Sequence, residues 1–185
     1  MVDFVNSGTI QAPSSGVSQG LYEESSTQQG DVGALRELAD GRRFRYCYFV
    51  SATAAGLLVS QDVSATAVVE TNDIVTAADA AATKVTITDS GTLGSATADQ
   101  YAGGYLHTTD DAGEGYTYRI RGNTAASSNA VDFTLYDGLV IAVTTATDVA
   151  ITGSLYGSVH GATAGTDYII SGVTNRVMQA SYYGW

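Results

Sequence analysis

Two histidines, a single cysteine and one short acidic turn are the residues here whose types and spacing could do chemistry. His107 and His160 lie far apart, and neither has a second histidine at ligand spacing, so a zinc site is not expected. Asp110, Asp111 and Glu114, in a turn with Gly113 and Gly115, could hold calcium weakly. Their spacing departs from the EF-hand loop with its closing bidentate glutamate, so a solvated turn is the better reading and calcium at 110–114 stays open. Cys47 has no second cysteine to pair with, which excludes an intrachain disulfide framework and a cysteine-rich metal site. Inside Arg45-Tyr46-Cys47-Tyr48-Phe49 it reads as a buried, inert thiol. No Gly-x-Ser-x-Gly elbow occurs, and Gly103-Gly104 lacks the Lys-Ser/Thr that grips phosphate. Catalytic, cofactor-binding and metal-ligating residues are therefore assigned to none, and no enzymatic activity is expected.

The remaining chemistry is that of recognition. Net charge is -11, and Lys84 is the one lysine, so the chain as a whole should repel nucleic acid. The arginines cluster: Arg42, Arg43 and Arg45 could form a basic docking strip, against the plainer reading of a solvated strand face that pairs with the surplus carboxylates. Tyrosine, at 12 copies, suits glycan stacking, but it serves sheet faces and protein interfaces far more often. Tyr22, Tyr182, Tyr183 and Trp185 join the three arginines as candidate partner-binding residues. Neither a secretion signal at Met1–Gln11 nor a membrane-length run of about 18–20 apolar residues is legible. The chain reads as soluble, without cofactor, and made in a cytoplasm.

The elements that must carry these residues are short strands. Charged residues make up only 15%, and Gly, Ser, Thr and Ala fill the gap with a single proline, a composition of many tight turns. Tyr116, Tyr118 and Ile120 alternate with Thr117, Arg119 and Arg121, and Val131, Phe133 and Leu135 repeat the period, so both sets are expected to face inward. Asp40-Gly41 is the preferred dipeptide of a type I′ hairpin, which is favoured over a helical turn at Ala34–Leu38. Leu57-Leu58-Val59, Lys84–Thr88, Leu139–Val143, Asp148–Leu155, Tyr168-Ile169-Ile170 and Val173–Met178 read as further strands. No fixed-period repeat stands out. The fold expected is all-β: a sandwich, barrel or jelly-roll-like body of short antiparallel strands with an extended N-terminal arm. Residues 1–33 form the arm, because 1–30 are too polar to build a core alone. Residues 34–185 form the body, as one unit or as two small β subdomains divided near 90–98.

Several segments resemble a family of tailed-bacteriophage capsid decoration (cement) proteins encoded beside the major capsid protein. They are Asp40-Gly41-Arg42-Arg43-Phe44-Arg45-Tyr46, Ala98-Asp99-Gln100-Tyr101-Ala102-Gly103-Gly104-Tyr105-Leu106, Gly113-Glu114-Gly115-Tyr116-Thr117-Tyr118-Arg119-Ile120, Phe133-Thr134-Leu135-Tyr136-Asp137-Gly138-Leu139, and the terminal Tyr183-Gly184-Trp185. Relatives continue past that tripeptide with one more strand, either missing here or supplied by a partner. The resemblance implies a structural virion protein on the outer surface of the capsid, bridging neighbouring major capsid subunits as a homo-oligomer, a trimer by preference. It implies no nucleic acid or membrane partner. The alternative reading is a tail-fibre or adhesin-type module that binds host glycans through exposed Tyr and Trp. A secreted or metal-dependent hydrolase is a distant third.

Overall fold

The computed structural model describes residues 18–61, 70–73, 76–88, 92–162 and 169–185. The arm up to residue 17, the turn at 89–91 and Tyr168 lie outside the described residues. What is described is almost entirely β. The chain begins with β1 (Glu24–Ser25), β2 (Leu35–Glu37), β3 (Arg43–Arg45), β4 (Cys47–Phe49) and β5 (Leu58–Gln61). It continues with β6 (Glu70–Asp73), β7 (Lys84–Thr88), β8 (Tyr105–Thr108), β9 (Thr117–Asn123), β10 (Ala130–Leu135) and β11 (Asp148–Thr152). β12 (Val159–Gly161), β13 (Ile170–Val173) and β14 (Tyr182–Gly184) complete it, and a short 3-10 turn, Thr92–Ser95, precedes β8.

These strands make two six-stranded sheets and a hairpin: β1-β14-β4-β12-β5-β13, β6-β11-β8-β9-β10-β7, and β2-β3. Pairing is antiparallel apart from β12, which runs parallel to β4 and antiparallel to β5. The second sheet curls until its end strands, β6 and β7, come into contact. The second body is an insertion in the first, since its strands run from Glu70 to Thr152 while the first draws on residues at both sides of that span. A division near 90–98 is therefore corrected: β7, before that point, pairs with β10, after it, from Thr88↔Ala130 to Lys84↔Thr134. Within that span Thr92–Ser95 form the 3-10 turn.

Each body is locked by the same crossed device. A strand leads through a bend to an isolated bridge, then through a tight turn to the next strand. In the first body Thr53 and Met178 exchange backbone N–H···O bonds at 2.9 Å in both directions. In the second, Ala78 and Val143 do so at 3.0 and 2.9 Å. In both, the strands before and after the bridge cross-pair: β4 with β14 and β5 with β13, then β10 with β7 and β11 with β6. The bridge residues are unevenly spaced along the chain, which is why no sequence period announces the correspondence.

The alternation in β9 and β10 does what alternation should. Tyr118, Ile120, Val131, Phe133 and Leu135 are buried in the larger core with Val85, Ile87, Leu106, Val149 and Ile151. Tyr116 does not join them. It precedes β9, is 37% exposed and stacks on Tyr118. The apolar runs outside the alternating strands are also only partly buried. Leu139 and Val143 reach the core, but the chain bends between them and leaves Val140 and Ile141 exposed instead of forming a buried strand. At Leu57–Val59 only Val59 is buried: Leu57 precedes β5, and Leu58 lies exposed opposite Val173 of the outer strand β13. The Asp40-Gly41 hairpin forms as β2-β3, though not with a type I′ turn. Gly41 alone of the pair is left-handed (φ 84°), and Leu38 N–H donates to Arg42 O at 2.9 Å, the longer loop with a glycine bulge.

Candidate binding cleft between the two bodies

Residues 18–33, assigned to the arm on composition, are laid on the first body and end in a polar knot centred on Gln19. Its Nε2 donates to the carbonyls of Glu23 and Tyr183 at 2.7 and 2.9 Å, and its Oε1 accepts from the Tyr46 hydroxyl at 2.7 Å. Its own carbonyl accepts from Trp185 Nε1 at 3.0 Å and Arg36 Nη2 at 3.1 Å. β1 then pairs with β14, Glu24↔Gly184 and Ser25↔Tyr183. The terminal Tyr-Gly-Trp is thereby used inside the chain. Trp185 is buried, meets the Tyr46 ring edge-on at 5.3 Å, and carries the Arg36 guanidinium 4.2 Å above its own ring. Its expected availability to a partner is corrected. Tyr183 is half-buried between Tyr48 at 4.7 Å and Tyr46 at 6.0 Å, and burial raises the pKa of its phenol. Tyr182 is also half-buried.

The basic strip is largely neutralised by its own neighbours. Arg42 Nε binds Asp40 at 2.8 Å and Arg43 Nε binds Glu37 at 2.9 Å, both exposed pairs on the hairpin. The Asp40 carboxylate and the exposed Tyr22 phenol hold the Arg42 charge in place. Arg45 points elsewhere. Its Nη1 donates to Gly33 O at 2.8 Å, and its guanidinium lies 5.6 Å from the Tyr156 ring.

Arg45 thereby becomes one wall of an open cleft of about 660 Å³ between the bodies. The other wall is the outward face of the second sheet. Thr152, Tyr105 and Arg119 form a cross-strand row there, set by the registers Thr152↔Tyr105 and Tyr105↔Arg119. Arg119 lies over the Tyr136 ring at 4.7 Å. Asp31, which also lines the cleft, is hydrogen-bonded to the Tyr136 phenol; burial first, and then this carboxylate, raises that phenol's pKa. Gly33, Gly103 and Gly153 leave part of the lining without side chains. Gly103 cannot be replaced cheaply, because it is left-handed (φ 77°) and a Cβ would stand 2.9 Å from the Val32 carbonyl. Sequence reasoning found Arg45 and missed Arg119, Tyr105, Tyr136 and Tyr156. The available signal was the outward place of Arg119 in the β9 alternation, but nothing local says that Arg45 lies on the opposite wall.

The two histidines, the cysteine and the acidic turn stand in hydrogen-bonded structural roles. His107 contacts the Thr117 and Thr152 hydroxyls at 3.0 and 3.3 Å. Ser60 Oγ lies 3.3 Å from His160 Nε2, but this pair is a strand register contact and Ser60 is fully buried, out of reach of a substrate carbonyl. Cys47 is buried, and desolvation pushes its thiol up to about 12, far from a thiolate nucleophile. The acidic turn is tied down by Thr144 Oγ1 donating to Asp111 Oδ2 at 2.9 Å and Thr147 Oγ1 donating to the Ala112 carbonyl at 3.2 Å. Among the described residues no group of three or more His, Cys, Asp or Glu is gathered to hold a metal, and no helix is long and apolar enough to cross a membrane. Comparison with family models, with curated proteins and with solved structures gives no match in any of the three.

Proposed function

We propose that this chain is a structural virion protein that decorates the outside of a bacteriophage capsid and stabilises it by bridging neighbouring major capsid subunits. The observation that carries the reading is an apolar strip at one edge of the first sheet. Leu57, Leu58, Ile169, Ile170, Val173 and Val177 are each between 45% and 62% exposed. Leu58 and Val173 stand directly opposite each other on β5 and β13. Among the described strands β13 is the outermost of its sheet, and Ile170-Ser171-Gly172-Val173 carries none of the charges or prolines that normally protect an exposed edge. Such a strip suits adhesion to another protein. The net charge of -11 disfavours contact with a packaged genome and so favours the outer surface. The ordered segments that resemble decoration proteins support the same reading.

The test compares phage particles with and without the protein under heat and osmotic shock. Shells lacking it should assemble but rupture earlier, and Leu58→Lys with Val173→Lys should reduce occupancy. Shells equally robust without it, or protein imaged on the tail alone, would overturn the proposal in favour of the adhesin reading.

A further inference from the structure

We infer that the cleft between the bodies is a receptor for an acidic peptide segment of a protein partner, whose carboxylates are gripped by Arg45 from one wall and Arg119 from the other. Charge distribution is the first argument. The chain has 19 Asp and Glu against 8 Lys and Arg, so cations are easily neutralised within it. Arg42, Arg43, Lys84 and Arg176 pair with Asp40, Glu37, Asp132 and Glu24. Arg36 is buried against Trp185. Among the described residues, three cations, Arg45, Arg119 and Arg121, have no carboxylate at ion-pair distance, and two of them, Arg45 and Arg119, line this one cleft. Among the described residues the single carboxylate beside them, Asp31, is engaged with Tyr136, so the described lining carries a local positive balance inside an acidic molecule.

Geometry is the second argument. Each guanidinium rests near a tyrosine ring, Arg45 near Tyr156 and Arg119 over Tyr136, which fixes its plane and leaves N–H edges for a fork onto carboxylate oxygens. Gly33, Gly103 and Gly153 let a second backbone approach closely.

The hydrogen-bonding side chains of the cleft favour a peptide over a sugar. Gln61 Nε2 is already spent on Ser154 O at 3.0 Å. Thr152 Oγ1 is engaged with His107 at 3.3 Å, and Ser154 Oγ accepts from Tyr156 N–H at 3.2 Å. Those three groups are thus already engaged within the chain, while apolar Leu35, Leu155 and Ile169 stand beside the two arginines. That combination fits an acidic side chain flanked by an apolar one. A nucleic acid strand would bring a line of phosphates against a chain of net charge -11.

The inference rests on the decoration reading only in taking the partner to be a protein. Purified protein is titrated with an alternating Glu-Leu hexapeptide to about 10 mM, following the Arg Nε–Hε resonances by NMR. Shifts should concentrate at Arg45 and Arg119. Arg45→Gln and Arg119→Gln should each weaken binding about tenfold, while Arg121→Gln, which removes the same charge outside the cleft, should change it less than about twofold. An alternating Gln-Leu peptide should not bind. No shift at either arginine, equal loss in Arg121→Gln, or tighter binding of 3′-sialyllactose than of the Glu-Leu peptide would each overturn the inference. A negative result here leaves strip-dependent shell stabilisation untouched, and failure of that stabilisation leaves the peptide result standing.

Discussion

Trp185→Ala should be among the most damaging substitutions in the first body, and the structure gives the terms. Trp185 is 5% exposed, so truncation empties nearly a whole indole site, and such changes cost about 3–5 kcal/mol. The ring also meets Tyr46 edge-on and carries Arg36, interactions worth roughly 0.5–1.5 and 0.5–2 kcal/mol that lie partly within that figure. Trp185→Phe keeps most of the packing but deletes the N–H that donates to Gln19 O, so about 1–2 kcal/mol is expected. Against a typical domain stability of about 5–15 kcal/mol the alanine variant is near the edge of folding. Urea denaturation followed by far-UV circular dichroism measures both losses. A cycle of Trp185→Ala with Arg36→Met isolates the stacking, with a coupling of about 0.5–2 kcal/mol expected. Because Trp185 is the sole tryptophan, wild-type fluorescence reports this knot alone, and its transition should follow the loss of the Gln19 tether. A Trp185→Ala variant within about 1 kcal/mol of wild type would refute the claim that the C-terminus closes this core.

Three further outcomes follow from the same geometry. Phe133→Ala and Ile120→Ala, both fully buried, should each cost about 3–5 kcal/mol by urea denaturation, whereas Tyr116→Ala should cost under about 1 kcal/mol. The Cys47 thiol, pushed up to about 12 by burial, should resist maleimide at pH 8 and react only on unfolding; rapid labelling of the native protein would show that it is not sealed. The Asp132 carboxyl is lowered by hydrogen bonds from Lys84 and Thr86, so it is charged when folded at pH values where the unfolded chain already takes up protons. Its stabilising contribution is present above its unfolded pKa of about 4 and is lost as pH falls through the folded value. Asp132→Asn should flatten the acid limb of the stability profile by under about 1 kcal/mol, since the pair is partly exposed, and an unchanged limb would count against it.

Much of the strand layout was legible, for a definable reason. In β9 and β10 every second residue is apolar, and a pleated strand sends alternate side chains to opposite faces, so the pattern itself selects the buried set. The hairpin at Asp40-Gly41 was equally local. Continuous apolar runs misled: Leu139–Val143 holds no face information, and only the bend and the Ala78 bridge decide that Leu139 and Val143 go in while Val140 and Ile141 stay out.

What the sequence alone determined is therefore whatever is written within a few residues: strand identity, inward face, turn position, net acidity, and the lack of a familiar catalytic motif. What only the tertiary structure decided depends on residues distant in the chain. Gln19 meets Trp185, Arg45 faces the same cleft as Arg119, and Thr53 bridges Met178 because β13 and β14 return across a whole inserted body. The same return turned Tyr183 and Trp185 from surface candidates into packing, and it brought Arg45 and Arg119, which meet no carboxylate at ion-pair distance among the described residues, to one cleft. No local spacing encodes such meetings; they are fixed by which strands pair, a choice made by burial summed over the whole chain.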